Sequence, residues 1–515
     1  MSTNSDQRGN EGESVRQCRN EEQLWRKCII VSGNVLALAC VGFNYGLWPL
    51  IADLRTFNEG TELDPKWIVY TNIAVTGLSA LIACLLTLRL GTRKVVFTGA
   101  VLSTTGLFVS ALSKSVRFSC FTYGGITGVG YGFTLSPSLA LLFACFNNRR
   151  GLLYSVPFLG TAASLSALPL LICHVTEAYS RSSVFLILAA TNAHLAVFAT
   201  LFKSPRHRTG NTGPRSLSSK SIKDLVSSSK RQVFLASMFF VGAAFNTFVL
   251  HLPEIFKDNG VEEGDLTWLM MACGVSVAVG LTFTGLTGLC KKNEGHYASS
   301  LLMISTLLAA IAGFISMLPK SLTALYILSA GIGLSSGVYL PSLFILMECN
   351  RSLNTPIPAS LGVGLLLFAV GALIGMYLGD FLIDATDYLY SSYILSAVMM
   401  VIVFALLFLT RRSKADDGPQ KEGESRDSDE DRGRVEANLA LANRPAAASV
   451  DTVTRPSANF SDFASILGKQ NTFHINEFHV HLHGPSGDQS QATPVRAVSD
   501  VKFKRFLSLP KEIEF

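Results

Sequence analysis

Two ionisable residues in one long apolar stretch are the strongest candidates for chemistry in this sequence. His251 and Glu254 stand three residues apart, and a helix places residues at that spacing on one face. They could therefore share a proton, although a pair that simply faces water at the end of the stretch is an equally good interpretation. Because an ionisable side chain is costly to hold away from water, each is predicted to have a partner or a function.

Uncharged polar residues in other apolar stretches form a second candidate site. If they are buried, each needs a hydrogen-bond partner, which is either a neighbouring helix or a bound solute. We predict that, together with His251, they form the hydrogen-bonding wall of a solute cavity: Tyr45, Asn72, Asn246, Ser276 and Tyr339. Arg149 and Arg150 follow one such stretch and are predicted to close a gate, by pairing with helix C-termini or with Glu348.

The sequence lacks the usual signatures of an enzyme. It has no Gly-rich phosphate loop, no Ser-His-Asp order and no His-Glu-x-x-His motif, so we predict no catalytic residue. The ten cysteines stand singly, without a Cys-x-x-Cys pair, and predict neither a zinc site nor a disulfide framework. His479, His481 and His483 alternate near the C-terminus, but the polar composition around them predicts disorder rather than a metal site. No metal or cofactor is therefore expected.

The elements that carry the candidate residues are apolar stretches long enough to cross a membrane. Of the 515 residues, 49% are hydrophobic and only 16% are charged, against about 25% charged in a soluble domain. Twelve stretches have uncharged centres and the length that a transmembrane helix needs. They are Cys28–Leu50, Trp67–Leu88, Val95–Leu112, Phe118–Phe146, Gly151–Cys173, Val184–Phe202, Val233–Phe256, Leu266–Cys290, Tyr297–Leu318, Leu322–Met347, Ala359–Gly379 and Ser391–Thr410. The predicted fold class is an all-α polytopic membrane protein, in contact with the lipid bilayer.

The distribution of charge predicts the orientation in the membrane. A net charge of +6 would suit a nucleic-acid partner, but the basic residues lie between apolar stretches, so no nucleic acid is expected. Most of these residues lie in the loops on the side of the N-terminus, while the opposite loops carry acids such as Asp53, Glu59, Asp258 and Glu262. By the positive-inside rule, both termini are predicted to be cytoplasmic.

The two halves of the sequence repeat. Asp64-Pro-Lys-Trp67 opens the second stretch and Asp265-Leu-Thr-Trp268 opens the eighth, while Pro137-Ser-Leu and Pro341-Ser-Leu recur at nearly the same separation. Two six-helix halves around a cavity at the membrane midplane are a known carrier architecture. The predicted organisation is a cytoplasmic segment at 1–27, a first half at 28–202, a central loop at 203–232, a second half at 233–410 and a disordered tail at 411–515.

Short motifs in both halves follow the order and spacing of a known family. They are Gly42-Phe-Asn-Tyr45-Gly, Gly91-Thr-Arg93-Lys-Val-Val, Gly128-Val-Gly130-Tyr-Gly132, Cys145-Phe-Asn-Asn-Arg149-Arg150, His251-Leu-Pro, Asp258-Asn-Gly260, and Gly362 through Gly371 to Asp384-Ala-Thr386. Through them the chain, from about Val35 to Arg412, resembles the monocarboxylate transporters of the major facilitator superfamily. The resemblance implies an alternating-access carrier of small organic acids or related amphiphiles, often in the plasma membrane and often with a single-span ancillary partner.

The departures from that family concern its chemistry. Members that cotransport lactate with a proton have a Lys shortly after the equivalent of Tyr45, and Pro49 stands at that place. They also have an Asp and an Arg four apart in the eighth span, where this sequence has Val277 and Leu281. An Arg is the usual partner of a carboxylate, and a titrating Lys or Asp is the usual carrier of a coupled proton. The resemblance therefore implies that the family's charged site is missing and that Tyr45 alone is retained.

We predict a secondary carrier for a small organic solute that is neutral, zwitterionic or aromatic, working by facilitated transport. An anion in a cavity without a cation would be held at a cost of several kcal/mol. Two alternatives remain open. One is a proton-coupled monocarboxylate symporter that uses His251 and Glu254. The other is a non-transporting membrane receptor or scaffold with the carrier fold, which the long tail would suit.

Overall fold

The computed structural model describes residues 3–57, 63–113, 115–145, 150–202, 229–290, 294–317, 321–349 and 357–416. All of them belong to the first of two compact units, Met1–Ser428; the second unit is Asp429–Phe515. The predicted central loop and tail lie largely outside the described residues, as do Arg149 and the histidine-rich stretch.

Twelve helices among the described residues are long and apolar enough to cross a membrane, as the sequence predicts. We number them in chain order as α1 (Thr3–Gly46, continuing as Trp48–Phe57), α2 (Trp67–Leu90), α3 (Thr92–Ala111), α4 (Val116–Cys145), α5 (Arg150–Ala178), α6 (Arg181–Leu201), α7 (Ser229–Asp258), α8 (Glu263–Cys290), α9 (Glu294–Ile315), α10 (Leu322–Cys349), α11 (Ile357–Thr386) and α12 (Ser391–Asp416). Helices are the expected elements, because an open strand in lipid would leave its backbone groups unpaired. The first half is α1–α6 and the second half is α7–α12.

The two ends of the bundle need names that do not depend on the orientation in the membrane. The near end is where the apolar part of α1 begins at Leu24, and the far end is where it finishes at Arg55. Since successive helices run in opposite directions, α7 and α11 also run from the near end to the far end, and α2 runs back.

Two of the differences between the helices and the predicted stretches affect the candidate site. The first helix, predicted as one span ending at Leu50, is interrupted at Leu47 and resumes at Trp48 with Pro49 in its first turn. Proline is tolerated there because a first-turn N–H has no partner within the helix. The eleventh, predicted to end at Gly379, continues to Thr386, so Asp380 lies on the helix.

The glycine-rich part of α4 packs within the first half. Residues Cys120–Thr127 form a π-helical segment, and α-helix resumes at Gly128. Gly124, Gly128 and Gly132 lie against α2, and Gly130 lies against Ser103 of α3. Small residues allow such close approach, which is a main source of cohesion between helices in lipid. These contacts pack α4 tightly against α2 and α3.

The halves meet mainly through two pairs of helices, α2 with α11 and α5 with α8. Small residues bring the backbones together in both pairs: Gly77 faces Ala369, and Gly274 faces Ser166. The other helices of the interface, α1, α4, α7 and α10, are left to surround the space between these pairs.

The packing of α4 predicts a difference between two of its glycines. A methyl group at Gly132 would overlap the Ser79 hydroxyl and the α2 backbone, whereas a methyl group at Gly125 would meet nothing within 4 Å. We expect Gly132→Ala to lower the stability by about 1–3 kcal/mol, as overpacking does, and Gly125→Ala to be neutral or slightly stabilising. Thermal unfolding of the purified, solubilised chain measures both. Equal melting temperatures for the two variants would contradict this packing.

Candidate functional site

A cavity of about 90 Å³ lies between the two halves. The first half contributes α1, α2, α4 and α5 to its wall, and the second half contributes α7, α10 and α11. The lining residues are Leu38, Val41, Asn44, Tyr45, Ile73, Thr76, Gly77, Ala80, Leu135, Leu139, Phe158, Thr161, Phe245, Leu340, Phe344, Leu365, Phe368 and Ala369. None of these described lining residues carries a charge.

Aromatic rings from both halves meet at the cavity. The ring of Phe245 on α7 has its centroid 5.2 Å from that of Tyr45, 6.3 Å from that of Tyr339 and 6.4 Å from that of Phe368. The first two of these contacts are edge-to-face, a favourable arrangement of aromatic quadrupoles. Deeper toward the near end, Phe158 of α5 lies 5.3 Å from Phe344 of α10. The halves therefore touch through rings on opposite walls of the cavity.

Polar groups at the cavity are bonded to other protein groups. The Tyr45 hydroxyl of the first half donates to Asn246 Oδ1 of the second half at 3.1 Å. Asn246 in turn donates to the Gly242 carbonyl at 2.8 Å. The hydroxyl of Thr76 donates to the Gly128 carbonyl, and that of Thr161 donates to the Leu38 carbonyl. What the wall offers a solute is thus mainly apolar and aromatic surface.

A buried network fixes the wall from behind. Asn44 donates to Asn72 Oδ1 at 2.9 Å and accepts from the Tyr123 hydroxyl at 2.9 Å. Asn72 donates to the Tyr123 carbonyl, in the π-helical segment, at 2.6 Å. Asn44 lines the cavity, whereas the buried Asn72 holds Asn44 and α4 in place.

Charged residues of the two halves meet at the far end. We call this group the far-end cluster; it comprises Arg55, Asp64, Lys66, Tyr70, His251, Glu254 and Asp380. Lys66 Nζ lies 2.8 Å from Glu254 Oε1 and 3.1 Å from Asp380 Oδ1. The Tyr70 hydroxyl donates to Asp380 Oδ2 at 2.9 Å. Arg55 bridges Asp64, at 2.9 Å, and Glu254, at 3.4 Å. The contacts that Arg55, Lys66 and Tyr70 make to Glu254 and Asp380 join the first half to the second.

Lys66 remains a cation in this cluster. It directly precedes α2, and its side chain is 18% exposed. Burial acts to lower the pKa of Lys66, but the carboxylates of Glu254 and Asp380 outweigh burial, so the pKa lies above its usual value. The cluster therefore holds a positive charge from the first half against two carboxylates of the second.

His251 is fully buried, and both of its ring nitrogens face an oxygen. Nδ1 lies 3.0 Å from the Thr247 carbonyl, and Nε2 lies 3.0 Å from Asp380 Oδ1. A carbonyl can only accept, so Nδ1 carries a hydrogen in this geometry. Nε2 can donate to Oδ1 only when it carries a hydrogen as well. The neutral ring can satisfy only one of the two contacts, and the protonated ring satisfies both.

The far-end cluster lies beyond the cavity rather than in it. His251 is six residues past Phe245 along α7, and Tyr70 is six residues from Thr76 along α2. At a rise of about 1.5 Å per residue, each separation is about 9 Å. A solute that enters the cavity from the far end must therefore pass the cluster and then the Tyr45–Asn246 hydrogen bond.

The predicted wall residues divide into three groups. Tyr45 lines the cavity. Asn246 and Tyr339 each contact a lining residue: Asn246 accepts from the Tyr45 hydroxyl, and the Tyr339 ring packs against the Phe245 ring. Asn72 lies behind the wall. Ser276 lies elsewhere: its hydroxyl donates to the Ala272 carbonyl of its own helix, and its side chain packs against Gly333 of α10.

The structure brings His251 and Glu254 into one cluster, but through different partners. His251 contacts Asp380, and Glu254 contacts Lys66 and Arg55. Asp380 is not among the predicted site residues, because the predicted eleventh stretch ends at Gly379, one residue before it. Lys66 is not among the predicted site residues either, although its place in the repeated Asp64–Trp67 motif is a usable signal.

The remaining predicted positions lie on the described helices or just outside them. Arg149 lies outside the described residues, and Arg150 begins α5 with its side chain outside them. Glu348 is half-buried near the near end of α10. Val277 and Leu281 are buried on α8, where they pack against Gly337 of α10.

The chain is similar to known membrane transporters. The family model of the Major Facilitator Superfamily matches residues 34–350. Monocarboxylate transporter 13 of Rattus norvegicus is 24% identical over 339 residues, covering 65% of this chain and 77% of that protein. Monocarboxylate transporter 2 of Mesocricetus auratus is 25% identical over 403 residues, covering 72% of this chain and 82% of that protein.

Solved structures of low sequence identity share the fold. The human organic anion transporter MFSD10 (TETRAN) has a TM-score of 0.60 at 14% identity and covers 74% of this chain and 99% of its own. The transporter FucP in its outward conformation has a TM-score of 0.55 at 15% identity and covers 73% of this chain and 98% of its own. The twelve apolar helices and these similarities make the protein a multi-pass membrane protein of the transporter type. Because the matched model spans more than half of the sequence, the chain belongs to the Major Facilitator Superfamily, with the monocarboxylate transporters as its relatives.

Proposed function

We propose that the protein is a secondary carrier that moves a small, uncharged aromatic or similarly apolar solute across the membrane by alternating access. The observation that carries the proposal is the aromatic cavity between the halves, whose described lining residues are all uncharged. A carboxylate placed there would lose its hydration without gaining a counter-charge, at a cost of several kcal/mol. A ring would gain edge and face contacts with Tyr45, Phe245 and Phe368.

The size of the cavity is consistent with a carrier between its open states. Its volume of about 90 Å³ is smaller than the ~150 Å³ of an engineered cavity that binds benzene. A ring-sized solute therefore needs the halves to part. The Tyr45–Asn246 hydrogen bond and the Phe245 contacts cross from one half to the other, so they would separate in that movement.

The orientation follows from the basic residues of the sequence. Under the positive-inside rule we place both termini and the near end in the cytoplasm, and the far end outside. Arg149, Arg150 and Glu348 would then form the cytoplasmic gate. The similarity to monocarboxylate transporters supports the plasma membrane as the location and a single-span ancillary protein as a partner.

Proton-coupled symport of a monocarboxylate is the second candidate. It is favoured by the 3.0 Å contact between His251 Nε2 and Asp380 Oδ1, two atoms that could share a proton, and by Lys66, which is a cation that an arriving carboxylate could meet. Against it, this group lies about 9 Å from the cavity along the helix axis. A non-transporting receptor with this fold is a further possibility, in which the tail rather than the cavity would be needed.

Removal of the central ring should weaken solute binding. Because Phe245 contacts three other rings at the cavity, we expect Phe245→Ala to raise KM for an uncharged aromatic solute by about 2- to 10-fold, the worth of one aromatic contact. Uptake into proteoliposomes measures it. Phe283→Ala on α8 is the matched control, since that ring is 50% exposed on the helix surface and should leave KM unchanged. An unchanged KM in both variants would remove Phe245 from the binding wall.

The two candidate functions differ in whether a proton gradient can concentrate a solute. We expect an inward proton gradient to leave lactate at or below equilibrium in wild-type proteoliposomes, because no cation lines the described cavity. Labelled lactate, with a pH-sensitive dye for proton flux, measures it. Lactate accumulation that is lost in His251→Gln would instead establish the symporter.

Truncation of the tail tests the receptor alternative. A chain truncated before Ala415 should transport the solute as the full chain does. If the truncated chain keeps its flux but loses the protein's role in the cell, the receptor is favoured.

A further inference from the structure

One carboxylate oxygen in the far-end cluster receives two donors from different halves. Asp380 Oδ1 lies 3.1 Å from Lys66 Nζ of the first half and 3.0 Å from His251 Nε2 of the second. When His251 is protonated, both donors are cations held by one atom, and they repel each other. When the proton leaves, Nε2 no longer donates to this oxygen, and Lys66 is the cation that still contacts it.

The charges of the two halves show what the proton changes. The first half brings Arg55, Asp64 and Lys66, a net charge of one positive unit. The second half brings Glu254 and Asp380, two negative units, which protonation of His251 reduces to one. To first order, the attraction between the halves at this end is proportional to the product of these charges. That product falls by about half when His251 is protonated.

Other groups packed against this part of α7 do not reverse that sign. Tyr70 of α2 donates to Asp380 Oδ2, and Tyr393 of α12 donates to the Phe248 carbonyl; both are neutral hydroxyls. Lys257 and Asp258, at the end of α7, carry opposite charges and contact Trp48 and Tyr390. The balance therefore depends on His251.

We propose that His251 is a proton-binding site that controls the far end of the carrier: a proton from the solution there competes with Lys66 for Asp380 Oδ1, weakens the tie between the halves and favours opening at this end. Linkage makes the effect reciprocal. Opening takes Lys66 and Arg55 away from the two carboxylates, so the open form binds the proton more tightly than the closed form. Acid therefore opens the far end, and alkali closes it.

This inference goes beyond the proposed function, because it concerns the opening step and not the solute. A proton that binds and leaves on the same side changes the rate at which the cavity becomes accessible. It cannot concentrate a solute. Gradient-driven accumulation and pH-controlled opening are thus separate observations.

The test measures the width of the far end without any solute. Fluorescent labels attached through noncanonical amino acids at Tyr179 and Tyr388, which are exposed at the far ends of the first and second halves, report the distance between them by single-molecule energy transfer. The full-length chain is studied in nanodiscs from about pH 8 to about pH 5, the range in which an ordinary histidine changes charge. We expect the population with widely separated labels to rise several-fold on acidification.

Variants assign the effect to His251. His251→Gln keeps a side chain that can hydrogen-bond but not titrate here, so the far end should stay closed across the pH range. His194→Gln is the matched control, since His194 is exposed on α6 and should leave the response as in wild type. Lys66→Met removes the competitor and should give an open far end at every pH. If His251→Gln does not fold, His251→Asn replaces it, since asparagine does not titrate in this range either and should also abolish the response.

A wild-type distance distribution that does not change with pH would overturn the proposal. So would a His251→Gln variant that responds as the wild type does, because the titrating group would then be another one. Neither result bears on the solute, since none is present, so failure here is distinguishable from failure of the proposed function.

Discussion

The exclusion of charge from the middle of the bundle is the constraint on which the other features of the site depend. A charge there would have to be paired or would be held at high cost. Among the described residues, the cavity wall is apolar and aromatic, and the ion pairs that join the halves lie about two helical turns away. Under the proposed function this separation assigns two tasks to two places: the middle would recognise a solute by shape and ring contacts, while the ion pairs at the far end join the halves. Asp380 is central to the second task, because it accepts from Lys66 and Tyr70 of the first half and also contacts His251.

The two halves repeat in sequence, but their ties across the interface differ. Lys66 and Thr267 occupy equivalent places in the repeated motifs that open α2 and α8. Lys66 reaches two carboxylates of the second half, whereas Thr267 Oγ1 lies 3.7 Å from Cys173 Sγ of α5. The two repeated motifs therefore meet the opposite half through contacts of different kinds. Under the proposal for His251, a change of pH acts on the contacts that Lys66 makes.

The fold could be predicted from the sequence because it is encoded locally. Apolar stretches of membrane-spanning length and the repeated Asp64–Trp67 motif give the twelve helices and the two halves without any knowledge of contacts. The site could be predicted only in part, because its residues converge from distant positions. Lys66 meets Glu254 across 188 positions and Asp380 across 314, and no local pattern marks such pairs. Asn72 and Ser276 share the composition of the wall residues, and only the direction of their side chains places them behind it or away from it.

The most direct test of the account is counterflow. Proteoliposomes loaded with an unlabelled, uncharged aromatic solute are diluted into a trace of the labelled solute, with no ion gradient. A carrier that alternates around one binding site draws label in against its own gradient, so the account predicts a transient overshoot of label that decays to equilibrium. An overshoot obtained with lactate but with no uncharged aromatic solute would contradict the claim that an uncharged cavity selects the cargo.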